Sequence, residues 1–267
     1  MKLFFRKYGS GPPLVILHGL YGSSDNWATI AVKLSSQFTV IIPDLRNHGQ
    51  SPHSDVHSYD AIADDVNELV TDNLKGKFIL AGHSMGGKAA MNFAMRWPEK
   101  LNGLVIIDVS PFGSADPQNP FFKEHKEILD SMLSLDPGAI TSRGEIESIL
   151  SGHIHSERTR SFIMKNLKRK SEGNFAWKLN APALLSNLPL ITDGVFRKED
   201  NFFPISGFPV VFVRGENSNY INPDDFKAIQ KIFPSAELIT IKDAGHWIHA
   251  EKPDEISAVL IDLLKGN

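Results

Sequence analysis

A doubly wound, mostly parallel α/β sheet with a helical cap insertion is the fold class this sequence predicts. Three observations predict it. Short apolar runs recur along the chain, each closed by Gly, Pro, Asp or His. Several are apolar at every position, as expected for parallel strands buried on both faces. Helical patterns separate these runs, and strands alternating with helices indicate parallel crossovers.

The runs, in order, are "KLFFRKYG", "PLVILHG", "FTVIIPD", "KFILAGHS", "LNGLVIID", "PVVFVRG" and "AELITIKDAGH". "DNWATIAVKLSSQ" follows the second run as a helix, "YDAIADDVNELVTDNL" the third, and "MGGKAAMNFAMRWPEK" the fourth, while "PDEISAVLIDLLKG" closes the chain. The alternation breaks between Pro111 and Gly207. Strands are expected to be absent there, with helical segments such as "FFKEHKEILDSMLSL", "RGEIESILSGH" and "ERTRSFIMKNLKRK" in their place. The expected division is a core of residues 1–110 and 207–267, interrupted by a cap at 111–206 over the edge of the sheet where ligands bind.

The bulk properties narrow the function. The chain has 267 residues, 42% hydrophobic and 22% charged, which suits a globular protein with an ample core. A net charge of −3 gives no electrostatic footprint for nucleic acid or an anionic membrane surface. There is no cysteine, so disulfides, thiolate metal sites and a cysteine nucleophile are excluded. "MKLFFRKYGSGPP" has basic residues but no apolar signal core, and no stretch approaches the ~18 apolar residues of a membrane span. A cytoplasmic location is therefore expected. With no G-x-G-x-x-G opening the first helix and no H-E-x-x-H, neither a cofactor nor a metal is expected.

The chemistry centres on Gly82-His83-Ser84-Met85-Gly86, which fits G-x-S-x-G. On composition alone that triplet turns up in roughly one chain in ten of this length. Its setting carries more: a buried strand precedes it and a helix follows, as a nucleophile elbow requires. A serine hydroxyl needs a base to attack. Of the ten histidines, His246 lies just past the last strand, on the same sheet edge as the elbow, and is the expected base. His249, three residues on, is expected to support the following helix, and His83 flanks the serine. An acid must hold the imidazole tautomer. Asp108 closes the strand "LVIID", where a buried charge is costly unless paired. Glu216 is the alternative, beside a loop that carries Asn217, Ser218 and Asn219 in place of an aspartate. The oxyanion donors are expected to be backbone amides. One belongs to Met85, at a helix N-terminus, and the other to Leu20 or Tyr21, in a loop shaped by His18 and Gly19.

Two further clusters have plainer readings. "PDLRNHGQS" carries Asp44, Arg46, Asn47 and His48, and reads as a turn with internal hydrogen bonds. Arg158, Arg160, Lys165, Lys168, Arg169 and Lys170 read as a solvated helix face, or as contacts to a phosphate-bearing substrate such as an acyl-CoA. Phe112, Phe121, Phe122, Trp177, Phe196, Phe202 and Phe203 make the insertion aromatic; most are expected to pack it, and some to line an acyl pocket.

With these residues in place, the chain resembles the α/β-hydrolase superfamily over nearly its whole length. Within it, the chain is similar to the YbfF-type esterases of bacteria and their eukaryotic abhydrolase relatives. The stretches that carry the resemblance are "LHGLYGSSDNW", "PDLRNHGQSPHS", "GHSMGGKAAM", "LVIIDVSP", "RGENSNYI" and "AGHWIHAEKP". The resemblance implies the α/β-hydrolase fold with a helical cap, and hydrolysis of small carboxylic esters or thioesters. It places the acid after the strand that follows the elbow, on Asp108. "FAWKLN" also resembles a family segment, which implies that Trp177 and Asn180 face the pocket. Tyr21 and His83 complete the expected pocket lining.

The expected reaction is cleavage of small to medium acyl esters through an acyl-enzyme on Ser84, with a small-molecule substrate as the partner. Serine at the elbow argues against the branches that use a carboxylate nucleophile. An acyl-CoA or other thioesterase, a carbon–carbon bond hydrolase and a cofactor-free perhydrolase are the rival enzymes. A ligand receptor on a hydrolase scaffold is the rival of another class.

Overall fold

The computed structural model describes residues 1–171, 173–199 and 203–265. Among the described residues, all seven predicted runs are strands of one sheet, and two more strands lie outside it. The sheet strands are β1 (Phe5–Tyr8), β2 (Pro13–Leu17), β3 (Thr39–Pro43), β4 (Phe78–His83), β5 (Leu101–Ile107), β8 (Val210–Gly215) and β9 (Ala236–Ile241). Their order is β1-β3-β2-β4-β5-β8-β9. Only β1 runs antiparallel to its neighbour; the remaining pairs are parallel.

The continuous apolar runs hide a period of two. Leu14, Ile16, Ile79, Ala81, Val105 and Ile107 pack into the core on one face of the sheet. Val15, Leu17, Phe78, Leu80, Leu104 and Ile106 pack into the core on the other. The first face is covered by α1 (Ala28–Leu34) and α11 (Pro253–Lys265), through Ile30, Leu34, Ile256 and Leu260. The second is covered by α2 (Tyr59–Asn73), α3 (Met85–Arg96) and α9 (Phe226–Ile232).

Between β5 and β8 lie α4 (Pro120–Leu133), α5 (Arg143–Ser151), α6 (Glu157–Met164), α7 (Ala181–Ser186) and α8 (Leu188–Thr192). The segment is not free of strands, contrary to the sequence reading. "ERTRSFIMKNLKRK" is helical only to Met164; β6 (Leu167–Arg169) then pairs antiparallel with β7 (Phe175–Trp177). The physical reason is local. Three-residue strands are too short to register a period, and the turn between them is carried by Gly173 at φ +91°.

The insertion shares a hydrophobic core with the second face of the sheet, through Phe122, Leu129, Met132, Leu150 and Leu184. Polar ties reinforce it. Tyr59 donates its hydroxyl to Ile191 O at 2.6 Å, and Lys88 donates to Thr192 O and Asp193 O at 3.1 and 2.5 Å. Burial pulls the Lys88 ammonium down to about 8. The "PDLRNHGQS" turn is tied internally, as expected, by Gln50 N–H on Asp44, His48 N–H on Leu45 O and Ser51 N–H on His48 O. It is also tied to its surroundings, with Asp44 accepting from Ser24 N and Arg46 forking onto Asp65 at 2.7 and 2.9 Å. A last short helix, α10 (Ile248–Glu251), follows β9.

Candidate active site

Ser84 joins the end of β4 to the start of α3, at φ +53° and ψ −121°. A non-glycine residue rarely holds that conformation, and it persists only where the surroundings impose it. The two glycines explain how the bend closes. A Cβ on Gly82 would lie 2.2 Å from Gly86 O, and one on Gly86 would lie 2.5 Å from Leu17 O. Strand and helix therefore touch backbone to backbone, and the serine between them is turned outward, half-buried.

Asp108 follows the end of β5, also at positive φ (+50°), and is fully buried. It receives Gly215 N–H at 3.0 Å on one oxygen, with the Ser218 hydroxyl and His246 Nδ1 on the other, the latter at 2.8 Å. A carboxylate accepting at Nδ1 fixes the proton there and leaves Nε2 as the basic nitrogen. Glu216 lies elsewhere: it is exposed and accepts from Asp243 N at 3.0 Å.

The His246 ring is packed against two others. Tyr220 stacks on it with centroids 3.7 Å apart, and His83 lies at 4.7 Å. His83 also donates Nε2–H to His246 O at 2.9 Å. His83 therefore supports the base, and burial together with the neighbouring His246 and His249 pushes it well below the usual histidine range. His249 stacks on Trp27 at 4.8 Å and is lowered to about 3, chiefly by burial.

The loop after β2 is held by two more neutral histidines. His18 donates Nδ1–H to Gly19 O at 2.8 Å and accepts Leu45 N–H at Nε2, at 2.9 Å. Gly22 N bonds the same Gly19 carbonyl at 3.0 Å. A trans peptide points its N–H opposite its C=O, so pinning Gly19 O aims the Leu20 amide away from His18. His48 donates Nδ1–H to Arg46 O at 2.8 Å and accepts Tyr21 N–H at 3.3 Å. Burial lowers both histidines and keeps these acceptors available. Met85 supplies the first amide of α3, one of those a helix leaves without an internal acceptor.

Two cavities meet at Ser84. One, of about 320 Å³, is lined by His246, His83, Trp247, Tyr21 and Phe162. The other, of about 270 Å³, is lined by Met85, Val109, Phe112, Phe121 and Lys88. Leu20, Ser84, His125 and Tyr220 border both. The Ser84 hydroxyl makes no hydrogen bond among the described residues, and it faces the larger cavity together with His246. Such contacts are commonly long before substrate binds.

Two expected pocket residues are not brought to the site. Trp177 donates Nε1–H to Met132 O at 3.2 Å, inside the insertion. Asn180 caps α7 and donates to Asn47 Oδ1 at 3.1 Å, tying insertion to core. Neither lines a cavity beside Ser84. Of the aromatic set, Phe112 and Phe121 line the smaller cavity, Phe122 and Phe196 are buried, and Phe203 is exposed. Phe202 lies outside the described residues. Of the basic run, Arg158 pairs with Glu251 at 2.8 Å on the larger cavity's wall, and Arg160 bonds Ile154 O and His155 O. The run is therefore not one solvated helix face.

Ser218, Tyr220 and His125 escaped the sequence reading. His125 carried a signal: Phe121, His125, Ile128, Leu129 and Met132 share one helical face, where a histidine is out of place. Ser218 and Tyr220 sit in the loop that lacks an aspartate, and only the fold shows that this loop still reaches Asp108 and His246. Among the described residues no group of three or more His, Asp or Glu is placed to hold a metal, and no helix is long and apolar enough to cross a membrane.

Comparison with known proteins agrees with this fold. The family model described as "alpha/beta hydrolase fold" matches residues 12–138. The sn-1-specific diacylglycerol lipase ABHD11 of Danio rerio is 36% identical, over 94% of this chain and 78% of its own. Esterase YbfF of Escherichia coli (strain K12) is 32% identical, over 91% of this chain and 89% of its own. A solved structure titled "Marine microorganism esterase" is 42% identical, superposes with a TM-score of 0.92, and is matched over 98% of this chain and 99% of that one. The chain belongs to the α/β-hydrolase fold family, as an ester hydrolase of its esterase and lipase branch.

Proposed function

We propose that the chain hydrolyses small to medium acyl carboxylic esters through an acyl-enzyme on Ser84, with His246 as base and Asp108 as acid. The observation that carries this reading is the 2.8 Å contact between Asp108 and His246, on the cavity that Ser84 also faces. His246 Nε2 takes the Ser84 proton as Oγ attacks the acyl carbonyl. The Leu20 and Met85 amides receive the oxyanion. The protonated ring then gives its proton to the leaving alkoxide, and in the second half activates water to release the acid.

The two cavities suggest which part of the ester goes where. His246 borders only the larger one, so the leaving alcohol, which His246 must protonate, occupies that arm. The acyl chain then extends past Met85 into the arm lined by Val109, Phe112 and Phe121. The insertion between β5 and β8 caps both arms, lending Phe162 to the larger, Phe112 and Phe121 to the smaller and His125 to both.

A thioester with a phosphate-bearing leaving group is the second reading. Arg158 and Lys165 favour it, since both line a cleft of about 390 Å³ that shares Phe162, Trp247 and His249 with the larger cavity. Steady-state kinetics on p-nitrophenyl esters of increasing acyl length, beside the matching acyl-CoA series, test both. Repeated turnover that declines once the acyl chain outgrows its arm is the expected result. Equal or better turnover of the CoA esters would replace it with the second reading. A single acylation burst without turnover would point to a receptor on a hydrolase scaffold.

A further inference from the structure

Tyr21 follows the expected oxyanion donor Leu20 and holds φ +62°. A bulky aromatic in that left-handed region costs on the order of 1–2 kcal/mol unless its surroundings impose it. Three groups do so. Its N–H is taken by His48 Nε2, its carbonyl accepts Asn166 Nδ2–H at 2.8 Å, and its hydroxyl lies 3.3 Å from both His125 Nδ1 and His125 O. His48 belongs to the core, whereas Asn166 and His125 belong to the insertion.

Asn166 is built for this contact. It is buried in the turn between α6 and β6. Its amide donates to Ile163 O at 2.9 Å, and its carbonyl accepts from Lys178 N at 2.8 Å, so its backbone is tied to both the helix and the hairpin. It lines neither cavity at Ser84, so substrate contact does not explain it. Its side-chain amide crosses from insertion to core and ends on the residue that sets the course of the oxyanion loop.

We infer that Asn166 is a positioning residue: through Tyr21 O, and aided by His125 on the Tyr21 hydroxyl, it makes the insertion a structural part of the oxyanion hole. The inference rests on Ser84 being the nucleophile and Leu20 an oxyanion donor. Without the Asn166 bond, the Leu20–Tyr21 backbone is held only from the core side, and the insertion keeps only the Tyr21 hydroxyl, through His125. The Leu20 amide then drifts from the oxygen it must meet as the tetrahedral intermediate forms. An error of about 1 Å in such a site can lower the rate about 100-fold.

The test is Asn166→Asp, which keeps the shape and replaces the donor with an oxygen facing Tyr21 O. Acylation by a p-nitrophenyl ester is measured beside inhibition by a trifluoromethyl ketone of matching acyl part, whose serine adduct places an oxyanion in the hole. The expected result is a fall in kcat of roughly 10- to 100-fold, with KM within about threefold. Ketone affinity should fall by the same factor as kcat/KM, which a merely structural anchor would not require. Tyr21→Phe removes only the His125 tie; it should show a smaller loss of the same kind, non-additive with the first. Should Asn166→Asp fail to fold, Tyr21→Phe decides, and wild-type values there overturn the inference. So do unchanged kcat in Asn166→Asp, a rise in KM alone, or a rate loss that ketone affinity does not follow. A wild-type protein that never acquires an acyl group on Ser84 overturns the esterase reading as well; an acylated wild type with an indifferent Asn166→Asp overturns only this inference.

Discussion

Asp108 accepts three donors, and only one of them is the imidazole. Gly215 N–H and the Ser218 hydroxyl orient the carboxylate, so a lone pair of Oδ2 is aimed at Nδ1 before any substrate arrives. Asp108→Asn should keep the packing but offer the wrong hydrogen-bonding partner to the ring. Turnover of a p-nitrophenyl ester should fall by up to ~10⁴-fold, the loss seen when a triad tautomer is disturbed. Glu216→Gln, at an exposed residue bonded to the Asp243 amide, should stay near wild type. The reverse pattern would move the acid to Glu216. At this scale the sequence was informative where a residue type had no structural excuse. A carboxylate ending an apolar strand was such a case. Only the resemblance places Trp177 and Asn180 at the pocket, and their hydrogen bonds to Met132 and Asn47 show why they face elsewhere. Asn166 left no mark in the sequence, because a side-chain bond to one carbonyl 145 positions away has no periodic trace.

The elbow is the element on which the site depends. β4 and α3 approach so closely that the missing side chains of Gly82 and Gly86 are part of its geometry. Gly86→Ala would drive a Cβ to within 2.5 Å of Leu17 O, a backbone atom of the neighbouring strand that cannot swing aside. The expected cost is about 1–3 kcal/mol, as for other overpacked cores, read from the denaturant midpoint at unchanged slope. An unshifted midpoint would mean that the elbow is looser than described. The strand–motif–helix order was legible because buried strands and amphipathic helices differ in period. The β6–β7 hairpin was not, since two three-residue strands between polar turns show no period at all.

Across the whole molecule, histidines serve as neutral struts. His18 and His48 join the loops after β2 and β3, His57 lies 3.3 Å from Met85 Sδ, and His83 packs on His246 with His249 packed on His83 in turn. Burial lowers all five, to about 3 for His57 and His249. A histidine kept neutral in the folded chain but free to protonate when unfolded binds fewer protons in the native state. Acid therefore favours unfolding below the ordinary value of 6.5, and the stabilising contribution is complete only above it. Each such group contributes up to ~1.4 kcal/mol per pH unit in that window. The melting temperature should hold near pH 7 and drop steeply from pH 6.5 toward pH 4, ahead of any loss from the carboxylates. A melting temperature flat from pH 7 to pH 5 would contradict neutral struts. The central claim is narrower: the hydroxyl of residue 84 carries the acyl group. Intact mass and peptide mapping after a rapid quench with a p-nitrophenyl ester test it most directly. One acyl unit on the peptide containing Ser84, absent in a folded Ser84→Ala protein that no longer turns over, is the predicted result. An adduct on another residue, or turnover that survives Ser84→Ala, would contradict it.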